Sequence, residues 1–267
     1  MAKLSITTAW DETVQFVKRD AGPLFIVAFA LTVLPSIVLQ IVAASLVPLE
    51  AGERAVFLLL TIAVVVLSVT GTISITALAV GRRNVVGQAI GLGFRRFLPM
   101  FGAAILIGLA ALIALIPIVA LSGIDPEALA ASRPEAAAGV MRVGLIFLLI
   151  FLLFWPRLIL MTPVGALESV GPIGIIRRSW QLTRGHFWKL LGFALLLMLV
   201  ILVVMLAITF VFGSLIAILA GPPHPGTLSS TLMLLLGGLL NAVIVVFFTT
   251  FVARIYIQLS GEPTSGI

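Results

Sequence analysis

The chain contains no cysteine, one tyrosine and two histidines, and only 10% of its 267 residues are charged. Without cysteine there is no disulfide, no thiolate nucleophile and no cysteine metal site, and the redox compartment is left open. The histidines, His186 and His224, are too few to form a metal centre by themselves. The scarcity of charge excludes more. Soluble domains carry about 25% charged residues, so this composition cannot dress a water-facing surface. It also argues against nucleic acid despite the net charge of +6. A nucleic-acid face is an excess of cations added to a normally charged surface, and total charge here is low. Catalytic patterns are missing too: there is no HExxH, no GxSxG, no Walker loop and no GxGxxG following a strand pattern. No cofactor is expected, and no enzyme activity. No aspartate or glutamate lies deep in an apolar stretch, which disfavours ion-coupled pumping.

What fills the space is hydrophobic sequence: 61% of the chain, with a mean hydropathy of +1.29. Six apolar stretches, 23–47, 55–80, 99–121, 143–164, 187–219 and 231–257, are each long enough to cross hydrocarbon as a helix, which takes about 20 residues. The expected fold is therefore all-α, one polytopic membrane domain of six spans. The first stretch is expected to stay as a span: it is too long for a signal-peptide core and follows a polar segment with Asp11, Glu12 and Asp20.

Basic residues set the expected orientation. Lys3, Lys18 and Arg19 precede the first span, Arg82, Arg83, Arg95 and Arg96 lie between the second and third, and Arg177, Arg178, Arg184 and Lys189 between the fourth and fifth. The alternate loops carry Arg54 beside Glu50 and Glu53, Arg133 and Arg142 among Asp125, Glu127 and Glu135, and no cation at all in GPPHPGTLSS. The positive-inside rule then puts both termini in the cytoplasm of a bacterial inner-membrane protein.

Three basic segments share a pattern. AWDETVQFVKRDAGPLF, VVGQAIGLGFRRFLPMF and GIIRRSWQLTRGHFWKLL each set an amphipathic, aromatic-bearing helix before an odd-numbered span. Trp10, Val14 and Val17 share one helical face in the first, Ile90, Phe94 and Phe97 in the second, and Ile173, Ile176 and Trp180 in the third. This reads as three interfacial helices and a weak threefold repeat of surface helix plus hairpin of spans.

The third segment is the richest. Pro172 suits a first helical position and Gly185 a stop, so a helix is expected over 172–184. Its polar face carries Arg177, Arg178, Gln181 and Arg184. The face with Ile173, Ile176 and Trp180 is expected to meet the acyl boundary, and Phe187 and Trp188 an aromatic belt. Cations at an anionic leaflet gain about 1 kcal/mol each. Just upstream, Pro156 and Pro163 are expected to break the fourth span and release carbonyls that need partners. Arg157 in that span must snorkel, pair or face a wet cavity, and Glu168 is its expected partner. Small residues in the spans, Thr70 to Thr76, Ala104, Gly108, Gly237, Gly238 and Asn241, are expected to serve close helix packing.

The run RLILMTPVGALESVGPIGIIRRSWQLTRGHFWKLL, Arg157 to Leu191, resembles the signature of the bacterial membrane domain named after glycerophosphoryl diester phosphodiesterase. The segments SITTAWDETVQFVKRDAGPLF and ARIYIQL are similar to YciC-type inner-membrane proteins with six spans. The resemblance implies the membrane layout and no activity. In members that are phosphodiesterases the chemistry belongs to a separate barrel of about 250 residues, for which this chain has no room. The resulting expectation is a non-enzymatic scaffold or accessory protein. Arg177, Arg178, Arg184 and Lys189 would contact lipid headgroups, Trp180 and Trp188 would anchor, and Arg157 with Glu168 would fix the fourth span. The alternative is a transporter or channel for a small amphiphile or phosphate-containing solute, with Arg157 facing a cavity. Membrane lipids are the expected partner, and a soluble or membrane protein partner is left open.

Overall fold

The computed structural model describes residues 4–45, 51–80, 85–123, 134–222, 224 and 227–261, and among these every regular element is helical. Lys3, Glu50, Arg82, Arg83, Asp125, Glu127 and Arg133, used above for orientation, lie outside the described residues.

The first helix, α1 (Ile6–Arg19), is capped by Ser5, whose hydroxyl oxygen accepts from the Thr8 backbone N–H. After Asp20 the first span runs as α2 (Ala21–Ala28), a π-helical turn (Phe29–Val33) and α3 (Leu34–Ser45). The second span is α4 (Ala51–Ala79) and the third α5 (Val86–Leu121). The fourth is α6 (Pro134–Leu158) followed by the short α7 (Met161–Leu167), then comes the surface helix α8 (Pro172–Leu182). The last two spans are α9 (Phe187–Ala220) and α10 (Leu228–Ser260). Six helical stretches are long and apolar enough to cross a membrane: Ala21–Ala43, Gly52–Ala79, Val86–Leu121, Ala137–Leu167, Phe187–Ala220 and Leu228–Ser260.

The second amphipathic segment differs from expectation. It is no separate surface helix but the first turns of α5, which continues unbroken through Pro99 and Pro117. A helix in the membrane tolerates proline when neighbours re-satisfy the freed carbonyl, and nothing between Val86 and Leu121 forces a turn. Two of the three segments, α1 and α8, stand as helices of their own.

Packing concentrates at one end of the molecule. There α1 lies against α10, α4 against α5 and α7, and α8 against α5 and α7. One core gathers Leu160, Val164, Ile175, Leu190, Phe251, Ile255 and Tyr256; a second gathers Val17, Leu24, Val27, Ile75, Ala89 and Val246. The α4–α5 hairpin closes through Gly93, where an added Cβ would sit 2.7 Å from the Thr70 carbonyl oxygen and 2.8 Å from Ser74 Oγ. The Ser74 hydroxyl, besides donating to the Thr70 carbonyl, lies 3.2 Å from the Ala89 carbonyl oxygen across that interface. Of the small residues read as packing sites, Thr70, Gly71, Ser74 and Thr76 are buried and Gly238 lies close against Val33 and Ile37 of the first span, whereas Ala104, Gly108, Gly237 and Asn241 are exposed. The close approaches along α5 belong to Gly93, against Thr70, and to Gly102, against Pro172.

Candidate functional site at the α6–α9 connector

The chain from Pro156 to Lys189 folds into a compact knot on the packed end. Its geometry begins with Pro163. A proline ring clashes with the carbonyl four residues back and cannot donate to it, so the helix cannot run smoothly through Ile159. The break falls there: α6 ends at Leu158, Leu160 takes φ −87° and ψ 5°, and α7 restarts at Met161 with Pro163 in its first turn. In an unbroken helix the Arg157 carbonyl would accept from Met161. It accepts instead from the Ser179 hydroxyl on α8, at 2.7 Å. The break thus generates the bond that ties α8 to the fourth span.

Glu168 caps the end of α7 and is the polar centre of the knot. Its carboxylate Oε1 accepts from Arg178 Nε at 3.0 Å and from the Tyr256 hydroxyl at 3.0 Å. The expected pairing of Arg157 with Glu168 is therefore corrected. The carboxylate is taken by Arg178, which α8 carries back over the end of α7. The Arg157 guanidinium lies 5.0 Å from the centre of the Trp180 ring and 5.3 Å from that of Phe187, where the ring faces attract a cation. Trp180 is also packed against Phe154 of α6, 5.8 Å between centroids.

The helix boundaries agree closely with expectation: Pro172 occupies the first turn, α8 ends at Leu182, and Gly185 takes φ +85° in the turn to α9. A side chain with a Cβ is strained in that conformation. The face of α8 turned into the protein is Ile175, Ser179 and Thr183, all buried. Ile173 is 73% exposed, and Trp180 is 36% exposed. Arg177, Gln181, Arg184, Lys189 and Trp188 are also exposed, so the outer surface of the connector presents three cations and two indoles. A further strut was not legible in the sequence: Arg96 on α5 donates to the Ser169 hydroxyl at 2.8 Å. His186 precedes α9 with Nδ1 buried and without a hydrogen-bond partner, and His224 lies exposed at the opposite end. Among the described residues no three histidine, aspartate or glutamate side chains come together as a metal site.

Tyr256, Ser179 and Ser169 are hydrogen-bonding side chains of the candidate site that sequence reasoning missed. Only Tyr256 carried a signal, as the one tyrosine of the chain set beside Arg254 in an apolar helix.

No curated protein and no solved structure matches the chain. A family model described as a domain of unknown function, DUF7847, matches residues 4–259, nearly the whole length and the entire knot with it, and the chain belongs to that family.

Proposed function

We propose that the protein is a non-enzymatic scaffold or accessory protein of the bacterial inner membrane, with both termini in the cytoplasm, that engages anionic lipid headgroups through the outer face of the α6–α9 connector. The observation that carries this reading is the division of labour among its cations. Arg157 and Arg178 are committed inward, to aromatic rings and to Glu168, while Arg177, Arg184 and Lys189 stand exposed beside Trp180 and Trp188. Cations ringed by interfacial tryptophans on a fixed support are what an anionic leaflet attracts. Kinship with the phosphodiesterase-associated membrane domain is part of the proposal and rests on the Arg157–Leu191 signature.

The test is the triple replacement of Arg177, Arg184 and Lys189 by glutamine in the full chain, followed by quantification of co-purified phosphatidylglycerol and cardiolipin. The variant is expected to retain less anionic lipid than the wild type with its fold unchanged. Equal retention would sink the reading. Transport through a cavity at Arg157 draws less support, because its guanidinium is occupied by the Trp180 and Phe187 rings.

A further inference from the structure

A second constellation lies away from the connector, where α1 crosses the end of α10. Arg254 of α10 is only 7% exposed. Its guanidinium carbon sits 4.9 Å from the centre of the Phe16 ring, and its Nε is buried with no hydrogen-bond partner. Arg19 of α1 approaches the same ring at 5.7 Å and holds Asp20 at 3.1 Å. Between them opens a cavity of about 160 Å³ lined by Glu12, Gln15, Phe16, Arg19 and Arg254. That is far more than one water molecule needs.

Arg19 has Asp20 as its counter-charge, whereas the buried Arg254 Nε has no acceptor, a cost that an anion in the cleft would relieve. Glu12 shares the wall and attracts Arg254 across the cleft, but among the described residues its carboxylate makes no direct ion pair with either arginine. The cleft therefore offers guanidinium donors on one side and, on the other, a carboxylate that makes no direct ion pair. Planar guanidinium forks match phosphate oxygens, and a free carboxylate matches an ammonium group.

We propose that the α1–α10 cleft binds a phosphoethanolamine group, its phosphate held by Arg254 and Arg19 and its ammonium by Glu12, with Gln15 as a neutral donor at the rim. The chemistry is shared by the headgroup of phosphatidylethanolamine and by soluble phosphoethanolamine. The site is independent of the connector surface, since it uses none of Arg177, Arg184 or Lys189.

Native mass spectrometry of the full-length protein in detergent tests it. The probes are short-chain phosphatidylethanolamine, short-chain phosphatidylglycerol and free phosphoethanolamine. The wild type is expected to retain the ethanolamine lipid over the glycerol lipid. Arg254→Gln should weaken retention of both about tenfold, the loss of a charged hydrogen-bond donor. Arg19→Gln, at an exposed position, should weaken both as well and keeps the test decisive if the Arg254 variant does not fold. Glu12→Gln should weaken ethanolamine lipid alone and so erase the preference. The connector triple variant should lose glycerol lipid held at the connector and leave retention of the ethanolamine lipid unchanged. Displacement of the lipid by free phosphoethanolamine at equal concentration identifies a soluble ligand, and persistence of the lipid identifies the headgroup; the site stands in both cases. Equal retention of the two lipids by the wild type, Arg19→Gln and Glu12→Gln proteins would overturn the proposal.

Discussion

The two ends of this helical bundle are packed in opposite ways. At the end carrying α1, α7 and α8, every residue from 73 to 79 and from 250 to 257 is buried. Along the far parts of α5 and α9, none of residues 104–121 or 195–212 is buried. The most hydrophobic span, Phe187–Ala220 with a mean hydropathy of 3.3, has no buried share in its most apolar window, whereas Gly52–Ala79 at 2.6 has 22%. In lipid an apolar side chain gains little by leaving the acyl chains for another helix. Association there rests on close packing and on polar bonds between helices. Hydropathy therefore says that a helix crosses the membrane and nothing about where it touches its neighbours. The polar side chains that bond between helices, Glu168, Tyr256 and Ser179, and the buried Arg254 collect where the helices converge.

The sharpest way to break this contrast is to put the same side chain at both ends. Gly93→Leu forces atoms onto the Thr70 backbone and is expected to cost about 3 kcal/mol or more. At Gly108 an added Cβ meets nothing within 4 Å, and Gly108→Leu is expected to change stability by less than about 0.5 kcal/mol. Thermal unfolding in detergent reads both, and equal losses would refute the division into packed and lipid-facing ends. Next in size, Glu168→Ala removes one acceptor from both Arg178 and Tyr256. With the Arg178 side chain 40% exposed, its share must be discounted for solvent screening. The expected loss is about 2 kcal/mol in the same assay. Ser179→Ala strips the donor from the Arg157 carbonyl and should cost about 1 kcal/mol, with faster proteolysis of the connector as a second readout. The smallest effect belongs to the connector triple variant Arg177→Gln, Arg184→Gln, Lys189→Gln. These exposed residues should leave the stability within about 0.5 kcal/mol of wild type while changing lipid retention.

The contrast also explains what could be read from the chain alone. Span number and approximate placement are carried by composition, because hydrocarbon thickness demands a minimum apolar length. The bounds of α8 were legible because Pro172 and Gly185 act through their own backbone restrictions. The partner of Glu168 was not, since its choice of Arg178 over Arg157 depends on how far α8 folds back after the break at Ile159. Nor was the merger of the second amphipathic segment with its span, because amphipathic and apolar stretches share one helical geometry when no turn residue separates them. The importance of Gly93 over Gly108 was equally invisible: both are glycines in one helix, and only the position of α4 tells them apart.

The Tyr256 hydroxyl, set against Glu168 at the junction of α7, α8 and α10, has a practical consequence. Because the chain holds no other tyrosine, a protein grown on fluorotyrosine carries one fluorine nucleus, lodged at the point where the connector meets the last span. A single resonance then reports the state of that junction in a micelle or a bilayer without any engineered probe. Any event at the connector surface that loosens the Glu168 contact is visible as a shift in one line.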